Sequence, residues 1–140
     1  MFRQVVANVS INRVVDKDDR SQSELHDLTV KGIRVLSKRH IESFLFDDET
    51  LVKLCNSVGK PEKVPEIQAA KSGALADSIR RGNPVDDFKS MSPKLYTELK
   101  RILQLTRCGS SKEAFCIDTL APLITPETAM YQQLKRDVFA

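Results

Sequence analysis

The sequence predicts a helix-rich α/β protein, in which a short unit of strand, helix and parallel strand is followed by a helical portion. Three observations point there. The run Ile11 to Val15 ends in two β-branched residues, which favour a pleated, buried setting. Ser21 with Glu24 forms a capping box and Gly32 a natural helix stop, so a helix lies between them and Ile33 to Leu36 follows as a second short strand. Beyond Ser37 the apolar residues recur at helical spacing. Strand, helix and strand in this order cross over right-handedly with the strands parallel. Residues 1–46 therefore form a βαβ segment, and residues 47–140 a helical portion packed on it in one compact domain.

Each element has a local cause. Val5, Val6 and Val9 show no clear period and supply at most a makeshift third strand. Leu25 and Leu28 put an apolar stripe on the first helix. Ser37 caps a helix carrying Ile41, Phe44 and Leu45. Asp47 or Asp48 caps the next, with Leu51, Leu54, Cys55 and Val58 on one face and Gly59 at its end. Residues 60–63 are a linker, and Pro65 suits the first turn of a helix bearing Ile67, Ala70, Ala74, Leu75 and Ile79. Arg80, Arg81 and Gly82 close that helix, with the cations at the negative end of its dipole. Residues 83–91 read as a loop anchored in the core by Val85 and Phe88. Ser92 and Pro93 start a helix with Leu95, Leu99, Ile102 and Leu103 inward. Residues 108–111 break the pattern and cap a helix bearing Phe115, Leu120 and Leu123, which Pro122 kinks or ends. Thr125 and Pro126 open the last helix, where Met130, Leu134 and Val138 fall four apart.

Composition excludes several classes. The chain has 140 residues, enough for one domain with a real core, and 29% charged residues, ordinary for a globular protein. A net charge of +3 tolerates a nucleic-acid partner without arguing for one. No apolar run nears the roughly 20 residues of a membrane helix, and residues 1–6 are too short and polar for a secretory signal, so we expect a cytoplasmic protein without a membrane partner. Cys55, Cys108 and Cys116 form no C-x-x-C pair, and His26 and His40 lack zinc-ligand spacing. No G-x-x-x-x-G-K-[ST] loop is present to bind ATP. Tyr96 and Tyr131 are too isolated to stack nucleic-acid bases.

The chemistry concentrates where the first strand ends. Asp16, Asp18 and Asp19 crowd together there, and like charges so close repel, so folding alone gives no reason for them. A divalent cation relieves the repulsion, and hard oxygens at i, i+2 suit magnesium or manganese. In an open α/β sheet, ligands sit outside the carboxyl ends of strands. From spacing alone, a solvated acidic turn capping the next helix competes with this reading.

Residues 14–45 resemble the back half of a topoisomerase-primase (TOPRIM) domain, in the version fused to ATP-binding-cassette-type ATPases in the overcoming-lysogenization-defect nuclease group. The likeness rests on Val15-Asp16-Lys17-Asp18-Asp19-Arg20-Ser21, Gly32-Ile33-Arg34-Val35-Leu36 and Arg39-His40-Ile41-Glu42-Ser43-Phe44-Leu45. Residues 115–124 are similar to the C-terminal end of such chains. The resemblance implies a metal-dependent DNA nuclease of phage defence, associated with an ATPase domain or chain. It assigns Asp16, Asp18 and Glu42 to catalysis, and Asp16 and Asp18, with Asp19 as helper, to magnesium or manganese. Arg13, Lys17, Arg20, Lys38 and Arg39 surround the acidic turn in sequence, placed to contact DNA phosphates, with a solvated charged rim as the competing reading. Glu42 also reads as a partner for Arg39 or Arg20. Arg80, Arg81, Lys100, Arg101 and Arg107 read as helix surface.

The family's domain has further strands and a glutamate before this point, and here no acidic residue precedes Asp16. We therefore expect a truncated or split relative, inactive alone, whose sheet edge pairs with a partner chain or in a homodimer. The alternative expectation is a non-catalytic helical protein-interaction module.

Overall fold

The computed structural model describes residues 13–139. Val5, Val6, Val9, Ile11 and the makeshift third strand therefore lie outside the described residues. Strand β1 (Arg13–Val15) and strand β2 (Ile33–Val35) pair in parallel, with Arg13 opposite Ile33 and Val15 opposite Val35. Between them runs α1 (Gln22–Val30), whose cap is the one expected: Ser21 Oγ accepts from the Glu24 backbone N–H. Gly32, at φ +74°, turns the chain into β2. The stripe is thinner than Leu25 and Leu28 suggest, because α1 has no fully buried residue.

The helical portion holds the main core. After a short α2 (Glu42–Leu45) come α3 (Asp48–Ser57), a 3₁₀ turn at Pro61–Lys63, α4 (Val64–Arg80) and α5 (Phe88–Leu103). Helices α4 and α5 pack along each other. Ile67 and Ala74 from α4 meet Leu95, Leu99 and Leu103 from α5 and Leu51 and Leu54 from α3. The chain closes with α6 (Lys112–Phe115), a π turn (Cys116–Leu120), a 3₁₀ turn (Ala121–Leu123) and α7 (Ala129–Phe139). A smaller cluster under the sheet joins Leu36, Phe44 and Met130, with Val14, Ile124 and Leu134 packed against it.

Four local expectations are corrected. Ser37 caps no helix. Its backbone N–H and hydroxyl donate to Asp137 Oδ2 at 2.9 and 2.7 Å, so helix formation waits until Glu42. The segment before Ser92 is not all loop, because Asp87 caps α5 through the Ser90 N–H. Pro93 consequently sits inside a helix, and the Ser92 hydroxyl donates to the Lys89 carbonyl, the acceptor that a Pro93 N–H would have used. Val85 anchors nothing and is 71% exposed. The final helix starts at Ala129, not at Thr125, because the Thr125 carbonyl is taken by the Thr128 N–H, and Thr128 Oγ1 accepts from the Tyr131 N–H.

Helix α7 ties the two parts together. Glu49 on α3 accepts from the N–H groups of Ala129 and Met130 at 3.0 and 3.1 Å, capping α7 from a distance. At the other end, Arg34 on β2 donates to the carbonyls of Arg136 and Asp137. Both contacts place charge where the helix dipole favours it. Glu49→Ala is expected to cost about 1.5–3 kcal/mol, the range for hydrogen bonds to a charged group. Amide exchange should speed up across residues 129–139 in that variant, and unchanged protection there would refute the role.

Candidate functional site

The acidic turn leaves β1 at its carboxyl end and has a fixed backbone. Asp18 sits at φ +47°, a left-handed conformation that aspartate tolerates better than most residues. Its N–H donates to the Arg39 carbonyl at 3.0 Å, which joins the turn to the segment after β2. The Arg20 N–H closes back on the Lys17 carbonyl, and Arg20 Nε donates to the Asp16 carbonyl. The side chain of Asp16 is half-buried, and no cation pairs with it among the described residues.

Two side chains from the segment after β2, Arg39 and His40, meet the turn. Arg39 Nη1 pairs with Asp19 and lies 3.8 Å from Asp18 Oδ1, while its Nε donates to Asp86 at 2.8 Å. Hydrogen bonds to Asp19 and then Asp86 raise the Arg39 pKa and hold its charge. His40 is buried, with Nε2 3.5 Å from Asp18 and Nδ1 3.7 Å from Asp87. Its Nδ1 has no hydrogen-bond partner. Asp18, Asp19, Asp86 and Asp87 thus surround one guanidinium and one imidazole, a surplus of negative charge. Asp86 and Asp87 were missed from sequence. A sequence signal exists for Asp87 alone, an aspartate placed to cap the following helix three residues before Ser90.

Burial opposes ionisation of Asp87, yet the Ser90 N–H and hydroxyl, with the charges of His40 and Arg39, hold its carboxyl below the ordinary value of 3.8. A depressed folded-state pKa gives stability that is complete above the unfolded value and is lost as pH falls through it and below. Asp87→Asn should therefore cost stability at pH 7, and the gap to the parent should close as pH falls below 3.8 through the lowered folded-state value, as followed by urea midpoints. A gap independent of pH would refute the assignment.

The remaining expected residues are dispersed. Lys17 is exposed and borders a shallow hollow with Arg136 and Asp137. Lys38 Nζ lies over the Phe44 ring, 5.8 Å from its centroid. Glu42, in the first turn of α2, lines a separate apolar groove with Cys116, and its Oε2 is buried without a donor. The guanidinium groups of Arg39 and Arg20 bond Asp19, Asp86 and the Asp16 carbonyl rather than Glu42. Among the described residues, no three His, Cys, Asp or Glu side chains converge in a way that could hold a metal ion. Two carboxylates are present in Asp16 and Asp18, and magnesium commonly takes one or two, filling its other positions with water and substrate phosphate.

No protein-family model, curated protein or solved structure matches this chain. Among the described residues no helix is long and apolar enough to cross a membrane.

Proposed function

We propose that the chain is the TOPRIM-like segment of a metal-dependent nuclease acting on DNA together with an ATPase. One arrangement supports this reading above others: three carboxylates follow β1 at its carboxyl end, and Arg39 and His40 from beyond β2 close on the same turn. Asp16 and Asp18 are the ligands for magnesium or manganese. The Asp18 contacts with Arg39 and His40 are longer than hydrogen bonds, which leaves its oxygens available to an ion. Asp19 holds Arg39 in place beside the turn. The bound ion supplies charge neutralisation for a phosphodiester and an activated water. Lys17, exposed beside the turn, offers a phosphate contact.

Calorimetric titration with magnesium and manganese tests the reading. Binding is expected in the parent and lost in Asp16→Ala and in Asp18→Asn, the latter chosen because asparagine tolerates the left-handed backbone. Heat that survives Asp16→Ala, or none in the parent, sinks the metal site.

A non-catalytic interaction module is the second reading, supported by a sheet of two strands among the described residues and by an α1 with no fully buried residue. In that reading a sheet edge pairs with a partner chain or a second copy. Light scattering should then report a mass above 15.8 kDa at high concentration, and a persistent monomer counts against self-pairing.

A further inference from the structure

An apolar groove of about 760 Å³ runs beside α2 and α7, away from the acidic turn. Its walls include Ile41, Leu45, Ile124, Leu134 and Val138, and Ile117 and Phe139 stand at its lip, 70% and 73% exposed. Such exposed apolar surface in a concave setting marks an interaction site.

Three charge features restrict what fits. Glu42 lines the groove with one carboxylate oxygen buried and lacking a donor, and leaving a charged acceptor unsatisfied is costly. Lys89 and Lys135 also line it and have no ion-pair partner among the described residues. Lys112 is already beside Glu113 at 3.7 Å. Cys116 is not the reactive feature: burial, with Glu42 and Glu113 adding to it against Lys112, pushes its thiol up to about 11, so it stays protonated. The occupant therefore needs an apolar stripe, a donor directed inward and negative charge at its flanks. A simple amphiphile with one head group meets two of these demands. A helix meets all three, since apolar residues at i, i+3, i+4 and i+7 share a face with room for one cation among them.

We propose that this groove receives an amphipathic helix of a partner protein, with a Lys or Arg opposite Glu42 and acidic residues opposite Lys89 and Lys135. The proposal is independent of the metal site, because no groove residue belongs to the acidic turn.

The test uses the full chain and a displayed library of 16-residue helical peptides, counter-selected against Ile117→Glu. Ile117 is exposed, so this variant should fold and melt like the parent. Enriched peptides are expected to carry the apolar stripe with an inward cation, and to bind Ile117→Glu about tenfold more weakly by fluorescence anisotropy. Glu42→Gln should weaken an enriched peptide about fivefold, yet leave its Lys→Leu version unaffected, the coupling expected of a direct pair. No enrichment, equal binding to Ile117→Glu, or equal loss for both peptide versions overturns the proposal. So does displacement of bound dye by dodecylamine but by no peptide, which makes the groove a small-amphiphile site. A doubled mass that Ile117→Glu abolishes makes it a contact between copies, and also overturns it.

Discussion

Phe115→Ala is expected to lower stability by about 3–5 kcal/mol, the range for truncating a fully buried aromatic. Phe115 is wholly enclosed in the main core, and its ring lies 5.0 Å from that of Tyr96 at a 47° tilt. The cavity could not collapse easily, because Leu95, Leu99, Leu103 and Leu120 in the same cluster are themselves fully buried. A domain of this size has only about 5–15 kcal/mol in total, so the variant should lose much of its margin. Urea unfolding measures it, and a loss under about 1.5 kcal/mol would contradict the packing, being less than core truncations cost.

Gly109→Ala should come next in severity, for two separable reasons. Gly109 has φ +95°, where a side chain costs about 1–2 kcal/mol. An added Cβ would also stand 2.8 Å from Ala114 Cβ and 3.0 Å from the backbone of Ala114 and Phe115. Backbone cannot swing aside as a flexible side chain does, so overpacking adds about 1–3 kcal/mol. Gly82, at φ +93° with open space around it, is the control. Gly82→Ala carries the conformational cost alone, and the difference between the two variants isolates the clash. If both melt at the same temperature, there is no clash. Both Phe115 and Gly109 belong to the segment that presents Lys112, Cys116 and Ile117 to the apolar groove, so either variant should also loosen that wall.

What could be read in advance was what neighbours in sequence decide. The parallel strands followed from β-branched residues on either side of a capped helix, and Ser21, Asp47 and Ser111 cap their helices as short-range logic requires. The misreadings share a cause. Ser37 looked like a cap until Asp137, 100 residues on, took both its donors. Pro93 looked like a helix start because Ser92 offered no hint that its hydroxyl would replace the lost donor. The acidic strand end was legible at Asp16, Asp18 and Asp19. The answering charges were not: Asp86 and Asp87 reach Arg39 and His40 only through folding. Glu42 was read from the family resemblance and its place just after the second strand, whereas its surroundings come from α6, the π turn and α7.

The hold of α7 on β2 also sets an order of events. Arg34 waits 103 residues for the Asp137 carbonyl, and Phe44 and Leu36 wait nearly as long for Met130. Contacts so distant along the chain form late, since closing the loop costs entropy before any contact repays it. The strands are made before α7, so their packing against Ile124, Met130 and Leu134 waits until those residues emerge. A product stalled before α7 would show the strands to chaperones and proteases with that packing still missing.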